Sequence, residues 1–538
     1  MNIKLRNLVA ATLAGTALLG FAGTTFADTT DDIVNALMAK GILTEEEGAL
    51  LMKGRDLEKE NKQKTPAAKI KDGVIGFETP DGKNSIALTG RIHFDYRDVE
   101  NQDLSGLSGL GRAYDSDGDT ASIADQFEIR RARLGVKGKI FEHYDYEVLT
   151  NLVGSSANLV DVAYINAGQF KPVQLRVGKF KQPFNLEEYG TSSNNIDFME
   201  RSYVNQISPA KKAGVMIHGL PTTGVTYAGS VYQQNDFGET DTESDGKGVA
   251  GRATINFAEI AGWKESILHF GVAGFDSEYG ITPTTSGQTS STASTTTRGT
   301  LFSFRTEGRG LNNIYRAQIA GDTTATAGYG VSSATTATVD NKAYGLEAIA
   351  AYGPFKLQGE YMNSGFDAEH KNTGNKVEAD VKAFYAEALW LITGEKYADF
   401  YKNGGWGGIK PKNNFDTVAG GWGAWEIGLR YDEFEVDNTN IVGSTNSRFQ
   451  GATSNLAAAN LNTNNTLGKD KTNGGAKTYT AGIKWQLNPS MRVLLNYSHT
   501  KFDEGFRPID VTANQTTNVG VKLVDSEDIL AVRTQLNF

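Results

Sequence analysis

The chain is 538 residues long, carries a formal net charge of −10 and contains no cysteine. Gly (61) far outnumbers Pro (11), and Tyr (21) and Phe (26) are abundant. The missing cysteines exclude a disulfide-stapled exported protein. No apolar run beyond the N-terminus approaches the roughly 20 residues of a membrane-spanning helix, and the acidic balance points away from nucleic acid as a partner.

Residues 1–27 read as a secretory signal peptide. Lys4 and Arg6 form its basic start, residues 8–23 (LVAATLAGTALLGFAG) its apolar stretch, and TFA precedes Asp28. Losing that segment removes two cations and no acid, which takes the net charge to about −12. Export, high Gly and Tyr content and no spanning helix fit an outer-membrane β-barrel or a large exported soluble β-protein. Residues 28–69 form a separate module: a helical periplasmic segment to about residue 65, its tail running into a Lys/Gln/Pro linker (61–69). Ile33, Leu37 and Met38, then Leu50 and Leu51, have helical spacing; Gly41 ends the first helix, and Thr44 with Glu47 makes a capping box for the second.

From about residue 70 the chain becomes strands and turns. In SIALTGRIHFDYRD (85–98), Ile86, Leu88, Ile92, Phe94 and Tyr96 share one face, and Thr89, Arg91, His93, Asp95 and Arg97 share the other. FEIRRARLGVKGK (127–139) places Ala132, Leu134 and Val136 opposite Arg131, Arg133, Lys137 and Lys139. Strands of the same kind follow at 224–234, 341–353, 354–363, 425–434, 477–488 and 491–500. Their connections alternate between tight turns, such as Asn488–Pro489–Ser490 and Gly353–Pro354, and long low-complexity loops at 281–297 and about 436–475. Short turns on one rim and long loops on the other are the pattern of outer-membrane barrels. The chain closes on DILAVRTQLNF, in which Leu530, Val532, Leu536 and the terminal Phe538 share one parity, an assembly signal for the membrane's insertion machinery. The predicted fold is therefore all-β: a transmembrane antiparallel barrel over 70–538, of about 16 strands (18 possible), in a Gram-negative outer membrane, contacting its lipid and lipopolysaccharide. At that strand number a barrel leaves an aqueous channel.

The apolar parity then faces lipid or a neighbouring subunit and the cationic parity faces the pore. Arg91, His93, Arg97, Arg131, Arg133, Lys137 and Lys139 line the lumen, with Arg176, Arg430, Arg492 and Arg533 as further candidates. A guanidinium-lined wall draws anions, phosphate above all, because the planar fork donates two parallel hydrogen bonds. The competing role for these arginines is pairing with Asp95, Asp145 and Glu147 to stabilise the wall. Arg130 falls on the apolar parity, which puts it at the membrane interface or a subunit contact.

Residues 127–148, 175–202, 389–397 with 409–415, 423–432, the leader KGILTEEEGALL and the closing RTQLNF resemble the blocks of the phosphate-selective porin O and P family, in the family's order. The resemblance implies a homotrimeric barrel, usually of 16 strands, with an inward third loop and an arginine ladder leading to a central anion site. The ladder is carried onto Arg131 and Arg133, and the constriction loop onto about Pro183–Pro209. In phosphate-specific members this loop supplies lysines after a Thr-Ser-Ser triplet. Here Thr191-Ser192-Ser193 is followed by Asn194 and Asn195, and the loop holds Glu187, Glu188, Asp197 and Glu200 against Arg201. Lys179, Lys181 and Arg201 are the cations left to serve the anion.

Other signals do not build a catalytic or metal site. DSDGD (115–119) fails the EF-hand spacing, since its twelfth position is Gln126. Acidic loops such as 236–246 could hold divalent cations bridging lipopolysaccharide. The six histidines form no HExxH pair, and neither a G-x-S-x-G nor a Walker motif is present, so no cofactor and no enzyme activity are expected. The expected function is passive diffusion of small anions such as phosphate and polyphosphate. The competing functions are a general or cation-leaning porin, given the acidic loop, and a barrel tethered to the cell wall through residues 28–65.

Overall fold

Alternating apolar and polar residues build the structure, a computed structural model that describes residues 66–71, 74–101, 126–153, 159–234, 246–281, 284–285, 297–311, 314–320, 337–370, 373–443, 448–450, 473–506 and 524–538, together with 34, 38, 40, 43–47, 49–50 and 52–53. Sixteen antiparallel strands close into a barrel. They are β1 Ser85–Asn101, β2 Gln126–Ile140, β3 Tyr144–Asn151, β4 Val160–Ala167, β5 Gln174–Lys181, β6 Lys211–Thr222, β7 Val225–Gln233 and β8 Lys247–Asn256. The second half is β9 Ser266–Ile281, β10 Ala337–Tyr352, β11 Phe355–His370, β12 Asn375–Leu391, β13 Ala424–Val442, β14 Gly474–Asn488, β15 Met491–Phe506 and β16 Val524–Asn537. A leading hairpin, Ala67–Lys71 and Val74–Glu78, adds two strands to the same sheet outside the closed wall.

Closure runs through β16 and β1, in register from Arg91↔Asn537 to Asn101↔Glu527. Phe538 finishes the seam, its carbonyl accepting from Gly90 N–H at 2.7 Å and its own N–H donating back to Gly90 O at 3.1 Å. Gly90 is required there, because a Cβ would sit 2.5 Å from the Phe538 ring and 2.6 Å from the Arg133 carbonyl. On β1 the expected faces hold: Ile86, Leu88, Ile92 and Phe94 are exposed to the outside, and Arg91, His93, Asp95 and Arg97 are buried inside.

Arg130 is the exception to the expected parity. The β1–β2 register pairs His93 with Arg131 and then Phe94 with Ile129, so Arg130 is an extra bulged residue. A bulge re-aims its side chain, and Arg130 turns inward instead of meeting lipid or a subunit, while Ile129 and Phe127 return to the outer face.

The alternation of rims holds with two exceptions. Residues 392–423, between β12 and β13, lie on the short-turn rim yet form a long segment, and residues 371–374 make a tight connection on the long-loop rim. The 392–423 segment enters the barrel, where Trp406 packs with Leu186 and Phe198 and donates to Gln358 Oε1 at 2.5 Å. From the opposite rim, two strands within the 281–336 connection, Thr297–Phe304 and Tyr315–Ala320, also fold inward. Phe302, Phe304 and Tyr315 join inward-facing Phe366, Val377, Phe434 and Val436 in one apolar core, with Phe304 stacked on Phe434 at 4.0 Å. The open aqueous channel expected at this strand number is thus partly filled along β10–β14, and a polar cavity lies beside β1–β6.

In the N-terminal unit (1–67 with 78–81), described positions 45–47, 49–50 and 52–53 are helical. The capping box is formed there: Thr44 N–H donates to Glu47 Oε2 at 2.9 Å, and Glu47 N–H to Thr44 Oγ1 at 3.2 Å. The signal segment, DSDGD at 115–119 and most of the acidic loop 236–246 lie outside the described residues.

Candidate functional site

Residues 182–210 leave β5 and return at β6 after crossing the barrel interior, and the wall holds them by their backbone. Leu186–Gly190 is a single helical turn capped by Asn185, whose Oδ1 accepts from Glu188 N–H at 3.0 Å. Glu360 on β11 accepts the N–H groups of Leu186 (2.7 Å) and Glu187 (3.0 Å), a carboxylate at the positive end of that turn. Asp432 on β13 does the same for Tyr203, which opens the short helix Tyr203–Gln206.

The loop's acids are all engaged. Glu187 accepts from Ser202 N–H at 2.8 Å and pairs with Arg430 at 3.3 Å. Glu188 pairs with Arg201 at 2.7 Å. Asp197 is clamped by Lys356 (2.6 Å) and Lys484 (3.3 Å), and Lys356 lies over the Trp406 ring at 4.3 Å. Burial pushes the Glu188 carboxyl up, but Arg201, Lys181 and Lys211 outweigh it and hold the group below its ordinary range. Burial likewise opposes ionisation of Glu200, and Arg130, Arg533, Arg131 and Arg309 overcome it, leaving that carboxyl well below the usual value. In Glu187 burial wins over Arg430, and the carboxyl is raised.

Two groups of arginines result. Arg97 and Arg533 are buried to within 1 % and paired: Arg533 makes a fork with Asp95 (2.7 and 2.7 Å) and reaches Glu200 at 2.7 Å, and Arg97 meets Asp95 and Glu128 at 2.5 Å each. Arg91, Arg131, Arg133 and Arg176, with Lys181, Lys211, Arg201 and Arg252, border a cavity of about 400 Å³ whose carboxylates are Glu147, Asp161 and Glu188. Asp161 takes Arg133 at 3.0 Å and Lys211 at 2.7 Å. Among the described residues Arg91 and Arg176 have no carboxylate within 4 Å: Arg91 donates to Ser193 Oγ at 2.5 Å, and Arg176 lies over the Tyr164 ring at 4.3 Å.

The remaining candidates stand apart from this cavity. Lys137 is exposed, opposite Ala87 and Glu147. Lys179 is registered with Ala163 on the parity of outward Leu175 and Val177. Asn194 O accepts from Gln535 Nε2 at 3.0 Å, and Asn195 Nδ2 donates to Trp406 O at 3.3 Å. Both asparagines belong to the loop's framework.

A model of the family described as phosphate-selective porin O and P matches residues 86–538. The chain belongs to that family. It is 26% identical over 449 residues to Porin O of Pseudomonas aeruginosa, covering 80% of this chain and 86% of that protein. Among solved structures, OmpT, an outer membrane protein of Vibrio cholerae, superposes with a TM-score of 0.44 at 10% identity, covering 85% of this chain and 98% of that one. An anion-selective porin from Comamonas acidovorans does so with a TM-score of 0.41 at 11% identity, covering 85% of this chain and all of that one. The protein is thus a porin of a Gram-negative outer membrane.

Three features of this porin escape sequence reasoning. Arg305 and Arg309 lie on the inward part of the 281–336 connection, where strand parity says nothing of position. Lys211, just beyond the expected loop, borders the cavity with Lys181. Trp406 sits in a segment whose residues match the family but whose entry into the barrel has no periodic signature.

Proposed function

We propose that this porin passes small oxyanions, phosphate and polyphosphate among them, through the cavity beside β1–β6, with Arg91 and Arg176 as its available guanidiniums and Arg131 and Arg133 bordering it. The observation that carries the reading is the charge imbalance there, eight basic side chains against three carboxylates. A cationic wall in a confined space raises the local anion concentration, and several shallow sites let the anion leave again. The family description and the name Porin O support phosphate as cargo. A cation-leaning pore loses support because Glu187, Glu188, Asp197 and Glu200 are each paired with a basic side chain.

The wall supports a homotrimer, the assembly that the family resemblance implies. Strands β3, β4 and β5 have 8 residues each, about 27 Å of chain that tilts to a height of roughly 20 Å, below the ~25 Å apolar band. Val148, Ile165 and Val177 face outward on this low wall, and a neighbouring copy covers it. Residues 1–27 act as the export signal and 28–69 as a periplasmic leader.

The test is the reversal potential of the purified porin in a planar bilayer under a KCl gradient, followed by addition of phosphate. Anion selectivity with phosphate block, both weakened in Arg91→Ala and Arg133→Ala, is expected. A cation-selective or unselective channel would overturn the reading. Ile165→Arg should shift the assembled mass from trimer to monomer, and an unchanged mass would remove the low wall as the interface.

A further inference from the structure

The surroundings of Glu200 exceed what anchoring a loop requires. Its Oε1 accepts from Arg130 Nε at 2.9 Å, Arg533 Nη2 at 2.7 Å and Arg97 Nη2 at 3.3 Å. Its Oε2 accepts from Arg130 Nη2 at 3.1 Å, with Arg131 Nη2 at 4.0 Å. Four guanidiniums from three adjoining strands, β1, β2 and β16, therefore converge on one carboxylate. Arg97 and Arg533 have Asp95 as a second partner. Among the described residues, Arg130 and Arg131 have no carboxylate but Glu200 within 4 Å. Arg131 also borders the anion cavity, so this cluster adjoins it.

Such a convergence has the chemistry of an oxyanion site. Each guanidinium offers a planar set of donors suited to phosphate oxygens, whereas a carboxylate has two oxygens, and three donors already crowd Oε1. The loop backbone holds Glu200 in place: its own carbonyl accepts from Arg430 Nη2 at 2.9 Å, and that of Met199 accepts from Arg533 Nη1. We infer that Glu200 is a tethered anion that fills a four-arginine oxyanion site at the edge of the pore and thereby sets how strongly the channel retains phosphate. With Glu200 in place, arriving anions meet the Arg91/Arg133 cavity as the open site. Without its charge, Arg130 and Arg131 would take an oxyanion from solution, and the channel would hold its cargo at two successive positions.

The inference rests on the anion-pore reading, and the experiment separates the two. Glu200→Gln keeps the volume and the acceptor oxygen but removes the charge. Inorganic phosphate is titrated against the chloride current of wild type and variant in planar bilayers, and against their thermal unfolding in detergent. Half-block by phosphate is expected at about tenfold lower concentration in the variant, the gain of one charge-assisted site. Phosphate should also raise the unfolding temperature of the variant more than that of wild type, as a ligand bound only to the folded state does. Adding Arg130→Gln should abolish both gains. A folded Glu200→Gln porin with the wild-type half-block and no added stabilisation by phosphate would overturn the inference and leave Glu200 a structural anchor. In that case wild type would still be anion-selective and blocked by phosphate. A wild type without anion selectivity overturns the pore reading and this inference with it. Should Glu200→Gln fail to assemble, Glu200→Ala, which also removes the charge and leaves room for an oxyanion between the guanidiniums, is read for the same two outcomes.

Discussion

Replacing Arg533 by alanine should destabilise the porin by about 3–5 kcal/mol, the cost of deserting a buried charge partner. Arg533 is fully buried and contacts two carboxylates and a loop carbonyl: Asp95 at 2.7 Å through both Nε and Nη2, Glu200 at 2.7 Å, and Met199 O. After truncation Asp95, itself fully buried, keeps Arg97 as its one cation within ion-pair distance among the described residues. The control is Lys342→Ala, which breaks an exposed pair with Asp276 whose side chains are 68% and 52% accessible; solvent screens such a pair, and its loss should leave stability close to wild type. Urea unfolding in lipid vesicles, followed by tryptophan fluorescence and extrapolated linearly at a common slope, reads both variants. An Arg533→Ala porin within about 1 kcal/mol of wild type would refute the reasoning, because the seam network could not then be anchoring the 182–210 loop. Equal losses in the two variants would show that burial is not what decides.

Trp406→Ala should raise single-channel conductance, since it removes the ring under Lys356 and the donor to Gln358 and so frees the segment rising from the short-turn rim; unchanged conductance would mean that the segment lies off the ion path. Gly90→Val should reduce the heat-modifiable barrel on gels run without boiling, because its side chain meets the Phe538 ring and the Arg133 carbonyl at the seam; normal assembly would count against that close approach. Acidification should loosen the loop. The carboxyls of Glu188, Asp197 and Glu200 are held below their ordinary values, so the stability they contribute is present above the unfolded carboxylate range of about 4 and is lost as pH falls through it towards the lower folded values. Glu187, raised by burial, acts in the opposite sense. Single-channel recordings at pH 7, 5 and 3 should stay quiet at the first two and become noisy at the third; equal noise throughout would contradict the ion-pair anchoring.

The wall was legible because its signal is local. Side chains alternate along a strand, so Ile92, Phe94 and Leu495 identify the outer face and Arg91, Asp95 and Arg533 the inner face without any tertiary information. The tight turns at Gly353 and Asn488 are local signals as well. Arg130 failed that logic because one bulged residue resets parity, and nothing in FEIRRARL announces the bulge. The two insertions into the barrel failed it too, since Phe304 and Trp406 find their partners through contacts distant in sequence that no periodicity encodes.

By itself the sequence therefore determined that this chain forms a barrel, the facing of its regular wall strands outside the bulge at Arg130, and that the inner face is rich in cations. Only the tertiary structure decided which cations are neutralised. Pairing depends on distances of about 3 Å between groups far apart in the chain, such as Glu200 with Arg97, Arg130 and Arg533. A charge seen in a strand keeps or loses its field according to the partner that the loop delivers.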